Sequence, residues 1–157
     1  MKAVFADTAF FLALVNARDH LHPQAATLNE HPPGPMITTE WVLMELGDAL
    51  AVPSGRTRFV RLVTALRNQP DVEIIPATHD LFERARALFA QRTDKMWSLT
   101  DCTSFVVMKD HGLTAALTGA PNDAAIAAFT AKAECSGAET PGPLAKTMTA
   151  GQAQPMR

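Results

Sequence analysis

Three acidic residues occupy positions that suit metal-assisted chemistry. Asp7 follows a short apolar run, Glu45 lies within an amphipathic stretch, and Asp101 opens a stretch that is apolar on almost every side. Carboxylate oxygens are the ligands that Mg²⁺ and Mn²⁺ prefer, and such a cation activates water for attack on a phosphodiester. Three acids on separate elements therefore indicate phosphoryl-transfer chemistry, provided that the fold brings them together.

Each of these carboxylates also has a purely structural interpretation. Asp is a favoured N-cap residue, so Asp7 could serve only the helix that follows it. Ser98 and Asp101 have the spacing of a capping box, in which an acid in the first turn also complements the helix dipole. Glu45 stands at the edge of an apolar stripe, where a carboxylate is usually solvated. Spacing alone leaves both interpretations open, so the elements that position the acids decide between them.

The alternation of elements predicts an α/β fold. Apolar runs typical of strands occupy residues 2–6, 36–39, 72–76 and 113–118. Helical periodicity covers residues 8–16, 23–31, 40–52, 56–68, 79–92, 99–111 and 122–135, with a break at residues 53–55. This order predicts a three-layer sandwich whose central sheet is mostly parallel and flanked by helices. Sites in such sheets lie at the carboxyl ends of the strands, which is where Asp7 falls.

Composition and charge narrow the class of protein. A chain of 157 residues fits one domain, and 47% hydrophobic with 19% charged residues is a globular composition. The net charge of −2 excludes a general basic field for bulk nucleic acid. Two cysteines without a C-x-x-C pair exclude both a disulfide framework and a cysteine-built zinc module.

The distribution of apolar residues, Gly and Pro along the chain predicts the location of the protein and the limits of its domain. No apolar run is long enough to span a membrane, and Asp7 interrupts the first apolar stretch, which argues against a signal peptide. We therefore expect a cytoplasmic protein. Residues 1–135 are predicted to form the domain, and residues 136–157, rich in Gly and Pro, a mobile tail.

Three segments together resemble the successive motifs of PIN domains, and of the VapC-type bacterial toxins in particular. They are FADTAFF at residues 5–11, TTEWVLME at residues 38–45 and WSLTDCTSF at residues 97–105. The resemblance covers about residues 2–119. It implies a PIN-like fold and an endoribonuclease that depends on Mg²⁺ or Mn²⁺. It also implies an RNA substrate, a cognate antitoxin protein and a homodimer.

The resemblance transfers roles to individual residues. Asp7, Glu45 and Asp101 match the first three acids of the family, which bind the metal and act in catalysis. Thr8 matches the hydroxyl that follows the first acid and contacts a metal-bound water. Ser104 shares a helix face with Asp101 and is expected to support it.

The fourth motif departs from the family pattern. Ala120 stands where the subgroup has its fourth acid, and Asp123, three residues later, is a candidate metal ligand or a helix cap. The departure leaves an alternative function, namely a catalytically degenerate PIN-like module that binds antitoxin or RNA. A phosphatase or receiver-type domain is disfavoured, because Asp7 has no acidic neighbour and Ala9 breaks the D-x-D pattern.

Basic residues suggest where RNA would lie. Arg92 and Lys95 precede the third motif and are candidates to contact phosphates near Asp101. Arg56 belongs to a cluster of four arginines within residues 55–69 and is a further RNA-binding candidate. A solvated helix face is the alternative for that cluster.

Overall fold

The computed structural model describes residues 2–118, which form four strands and six helices. In chain order they are β1 (Val4–Ala6), α1 (Thr8–Val15), α2 (His22–Glu30), β2 (Met36–Thr39), α3 (Glu40–Ala49), α4 (Pro53–Arg67), β3 (Val72–Ile75), α5 (His79–Gln91), α6 (Leu99–Asp110) and β4 (Ala116–Leu117). The predicted α/β class is confirmed. The predicted helix at 122–135, with Asp123, and the predicted tail at 136–157 lie outside the described residues.

The sheet places the end of β1 at its centre. Its strands are parallel in the order β3-β2-β1-β4, with Val4 opposite Met36 and Phe5 opposite Ala116. All three residues of β1 are buried, as expected for a strand covered on both faces. The backbone N–H of Asp7 donates to the carbonyl of Leu117 at 3.2 Å, so Asp7 is still tied to β4. Its side chain therefore starts from a fixed point at the carboxyl edge of the sheet.

Helix α6 is the most buried helix of the described chain. Every residue from Cys102 to Met108 is buried, because α6 packs against α5, α3 and β2 together. The ring of Phe105 meets that of Trp97 edge to face, with centroids 4.6 Å apart. A helix enclosed in this way holds its first turn, which carries Asp101, in a well-defined place.

The predicted break at residues 53–55 is wrong. Helix α3 ends at Ala49 and α4 begins at Pro53, so the connection is residues 50–52. A proline in the first helical turn loses nothing, because its missing N–H would have no intrahelical partner there. Gly55 is required by close packing, since a Cβ atom at this position would lie 2.5 Å from the Leu50 carbonyl oxygen.

The predicted end of α6 is confirmed. Gly112 adopts a left-handed φ of 61°, and the N–H of Leu113 donates to the carbonyl of Met108 at 2.8 Å. This is the usual glycine C-terminus of a helix. Within residues 2–118, no helix is long and apolar enough to cross a membrane.

Candidate active site

The three predicted acids line one cleft. Its volume is about 400 Å³, and it opens where β1 ends, between α1, α3 and the first turn of α6. Its polar lining is Asp7, Thr8, Glu45, Ser98, Thr100, Asp101 and Ser104, and its apolar walls come from Ala9, Leu12, Val42 and Ala49. Residues far apart in the chain thus line one cleft, which spacing alone did not establish.

Asp7 combines the structural and the functional interpretation. Its Oδ1 accepts a hydrogen bond from the N–H of Phe10 at 3.1 Å, so it caps α1 as expected. Burial raises the pKa of Asp7 to about 6, against the opposing effect of the Phe10 and Ala9 N–H groups. The negative charges of Asp101 and Glu45 raise that pKa further. A carboxyl group whose pKa is raised by burial and that lines a cleft is a candidate functional residue in addition to a helix cap.

Glu45 is held from a different helix. The hydroxyl of Thr8, at the start of α1, donates a hydrogen bond to its Oε2. Glu45 is the most exposed of the three acids, since Asp7 and Asp101 are half-buried. The bond fixes a long, otherwise mobile side chain in the cleft.

Asp101 is held by the capping box that its spacing predicted. Its Oδ2 accepts from the N–H of Ser98 at 2.8 Å, and the Ser98 hydroxyl accepts from the N–H of Asp101 at 3.0 Å. The hydroxyl of Ser104 also lines the cleft but donates to the carbonyl of Thr100 at 3.0 Å. Ser104 therefore contacts the helix backbone rather than an acid.

The donor set fits a hard divalent cation. Three carboxyl groups share one small cleft. Burial is the main cause of the raised pKa of Asp7 and repulsion from Asp101 and Glu45 a smaller one, and a cation in the cleft would offset both. Among residues 2–118, no three acidic, histidine or cysteine side chains stand close enough to form a ready-made cage. Mg²⁺ usually retains several waters and uses only one or two carboxylates, so an open carboxylate cleft suits it.

None of the basic candidates lines the acid cleft. Arg92 and Lys95 line a second pocket, next to Trp97. Arg56 lines neither pocket, and its Nε donates to the carbonyl of Ala51, in the middle of the α3–α4 connection, at 2.7 Å. This bond is a structural use of Arg56 that its place in a basic cluster did not predict.

The sequence reasoning missed several residues of the cleft. Thr100, and the apolar walls formed by Leu12 and Ala49, carry no signal of their own, because they follow only from how the helices pack. Ser98 was identified as a capping residue but not as part of the lining. Its proximity to Asp101 could have indicated that second role.

Comparison with known proteins relates this architecture to a family. The profile of the PIN domain matches residues 4–136. Two curated relatives, both described as 23S rRNA-specific endonuclease VapC20, come from two strains of Mycobacterium tuberculosis. Each is 33% identical over 110 residues, which is 70% of this chain and 83% of the relative.

A solved structure agrees with the sequence relatives. The crystal structure of Mycobacterium tuberculosis VapC20, described as a toxin that cleaves the sarcin-ricin loop, superposes with a TM-score of 0.67 and 31% identity. The match covers 78% of this chain and 93% of the other. Fold and sequence thus point to one group of proteins.

Proposed function

Because the chain belongs to the PIN-domain family, we propose that it is an endoribonuclease toxin of the VapC type that hydrolyses RNA phosphodiester bonds. The observation that carries the proposal is the meeting of Asp7, Glu45 and Asp101 in one cleft at the carboxyl edge of a parallel sheet. Its sequence relatives and its structural neighbour are RNA-cleaving proteins by description. They favour an active nuclease over the degenerate binding module.

The proposed chemistry needs a divalent metal, Mg²⁺ or Mn²⁺. When bound, the cation would lower the pKa of water and stabilise the charge that develops on the phosphate. Asp7 and Asp101 are the ligands that the fold holds most firmly, the first by its cap and the second by its capping box. Asp123 remains a candidate ligand from outside the described residues.

Glu45 is the acid best placed to accept a proton from the attacking water. It is exposed to solvent and also a member of the cleft. Thr8 orients its carboxylate through the hydrogen bond to Oε2, leaving the other oxygen to receive the proton. Ser104 supports the wall beside Asp101, through its bond to the backbone of α6.

The proposal extends to substrate and partners. The relatives' descriptions make 23S rRNA, and its sarcin-ricin loop, the first substrate to test. Arg92 and Lys95 are proposed to contact RNA phosphates; Arg56 is a weaker case because it bonds to the Ala51 carbonyl. A cognate antitoxin, a homodimer and a cytoplasmic location complete the proposal by family resemblance.

The direct test is RNA cleavage by the purified chain. Wild type, Asp7→Asn and Asp48→Asn are incubated with ribosomal RNA in Mg²⁺, in Mn²⁺ and in EDTA. Asp48 is the matched control, because it is an exposed acid on α3 outside the lining of the cleft. We expect metal-dependent cleavage by wild type and Asp48→Asn, and none by Asp7→Asn. Cleavage that persists in EDTA, or in Asp7→Asn, would refute the proposed site.

A further inference from the structure

A second pocket lies on the other side of the segment that carries Asp101. It has a volume of about 270 Å³ and is lined by Phe89, Arg92, Thr93, Lys95, Trp97 and Cys102. Between Trp97 and Cys102 stand Ser98, Thr100 and Asp101, which line the acid cleft. Successive residues of a helix point about 100° apart, so neighbours such as Asp101 and Cys102 face different sides. Residues 97–102 are therefore a wall shared by both pockets.

The second pocket presents flat, preorganised surfaces. Trp97 is held in place by its edge-to-face contact with Phe105. The guanidinium of Arg92 lies 4.9 Å from the centre of the Trp97 ring and is fixed by Asp94, with Nε 2.8 Å from Oδ1. Trp97 itself is buried, so it supports the guanidinium from behind. Nucleic-acid bases stack on guanidinium planes of this kind and on exposed aromatic rings.

Phe89 adds an exposed aromatic surface at the rim. Half of its surface is accessible, although a phenyl ring on a helix would gain free energy from burial. It stands on α5, facing the loop that leads into α6, so a ligand in the pocket would cover it. A single exposed apolar residue needs no explanation by itself. Phe89, however, lines the same pocket as two cationic side chains, Arg92 and Lys95.

The rim carries more positive than negative charge. Within residues 2–118, Arg92 and Lys95 both form an ion pair with the carboxylate of Asp94. The ammonium of Lys95 is 3.7 Å from Oδ2 of Asp94, which is an ion pair but too long for a hydrogen bond. Its donors can therefore serve a phosphate.

We propose that this pocket binds one nucleotide of the RNA next to the scissile phosphate, with its base against Phe89 and the Arg92 guanidinium and its phosphate at Lys95. The inference rests on the proposed ribonuclease function and deepens it, because it adds a specificity subsite to the acid cleft. The volume is below the roughly 300–1,000 Å³ of pockets for drug-sized ligands, so it suits a single base. Because residues 97–102 contribute to both pockets, an RNA strand bound in the acid cleft would cross this segment to reach the second pocket.

The test measures RNA binding without cleavage. A short single-stranded RNA of mixed sequence, labelled with fluorescein, is titrated in EDTA with wild type, Phe89→Leu and Lys95→Gln. Loss of one aromatic stacking contact weakens binding by about fivefold or more, so we expect the Kd of Phe89→Leu to rise about tenfold. Lys95→Gln should weaken binding and reduce the slope of log Kd against log salt by about 0.7, the value for one phosphate contact on a single strand.

Two control variants match the substitutions in exposure. Val60→Ala changes an exposed apolar side chain on α4, and Lys109→Gln an exposed cation near the end of α6, both outside the two pockets. Both should bind RNA as wild type does. All variants are checked for an unchanged melting temperature, so that a folding defect is not mistaken for a binding defect.

The outcomes separate this inference from the proposed function. A Kd that rises in both Phe89→Leu and Lys95→Gln supports the nucleotide site. Failure to cleave RNA in Mg²⁺ or Mn²⁺ would contradict only the proposed nuclease function and not this site. Equal Kd values for wild type and both variants would overturn the proposal that the pocket binds a nucleotide, even if cleavage is normal. The pocket would then be a candidate site for a protein segment. Absence of RNA binding by wild type also overturns it.

Discussion

The hydroxyl of Thr8 donates a hydrogen bond to Oε2 of Glu45, across 37 positions of the chain. The bond joins the first turn of α1 to the middle of α3, two helices that pack on each other. Thr8 directly follows Asp7 in the chain. The same turn therefore carries one acid, Asp7, and the hydroxyl that holds the second acid, Glu45. The cleft is thus organised by direct contacts between its members.

Removal of the Thr8 hydroxyl should slow RNA cleavage while the fold persists. Thr8→Val keeps the branched shape but loses the donor to Glu45, and a hydrogen bond to a charged group is worth about 1.5–3 kcal/mol. We expect at least a tenfold lower single-turnover rate for Thr8→Val and a rate near wild type for Thr8→Ser. Equal rates for the Val and Ser variants would show that the bond does not orient Glu45.

Asp7→Asn should stabilise the metal-free protein at neutral pH. Burial raises the pKa of Asp7 from 3.8 in the unfolded chain to about 6. The folded state therefore binds more protons between these pH values, and wild-type stability falls as pH rises through them. A shift of this size corresponds to about 3 kcal/mol, and Asn removes the charge while still capping α1.

The measurement is urea unfolding of both proteins in EDTA. The stability gain of Asp7→Asn should be near zero at pH 3.5, grow to pH 6.5 and stay constant above it. A gain that is independent of pH would mean that the buried charge of Asp7 is not its cause.

Divalent metal should stabilise wild type but not the acid variants. A ligand that binds only the folded state adds RT ln(1 + [L]/Kd), which is about 2.7 kcal/mol at a hundredfold excess over Kd. Thermal unfolding in Mn²⁺ and in EDTA should show a higher melting temperature with metal for wild type and for Asp48→Asn, and little change for Asp101→Asn. A metal effect of equal size in Asp101→Asn would place the cation elsewhere.

Two glycines should respond oppositely to alanine. At Gly55 a Cβ would lie 2.5 Å from the Leu50 carbonyl oxygen, so Gly55→Ala must displace the α3–α4 connection and is expected to lower the free energy of unfolding by about 1–3 kcal/mol. At Gly47, within α3, the nearest atom is the ring tip of Phe59 at 3.4 Å. Gly47→Ala should therefore raise stability by up to about 1 kcal/mol, through helix propensity. Urea unfolding compares the two, and a stabilised Gly55→Ala would contradict the packing at that turn.

The parts of the site that the sequence predicted depend on local rules. Asp7 is found where a strand ends and a helix needs a cap, and Asp101 is found three residues after Ser98, so each position follows from its own segment. The same local rules wrongly predict a break between helices at residues 53–55. Proline is compatible with the end of one helix and also with the first turn of the next, and here α4 begins at Pro53.

The parts that it did not predict depend on how helices cross. The bond between Thr8 and Glu45 requires the angle between α1 and α3, and periodicity determines only which face of each helix is buried. The second pocket likewise requires the packing of α5 against α6, which brings Phe89 to Trp97. Neither contact leaves a signal in the local pattern of residues.

Asp7, Glu45 and Asp101 are proposed to act together as one catalytic unit. The most direct measurement is the single-turnover rate of RNA cleavage in Mn²⁺ for Glu45→Gln, Asp101→Asn and the double variant, with Asp48→Asn as control. Groups that act as a unit are strongly non-additive, so we expect each single variant to be slowed about a thousandfold or more and the double variant to be hardly slower. Either single variant cleaving within a few-fold of wild type, or two moderate effects that multiply in the double variant, would contradict the claim.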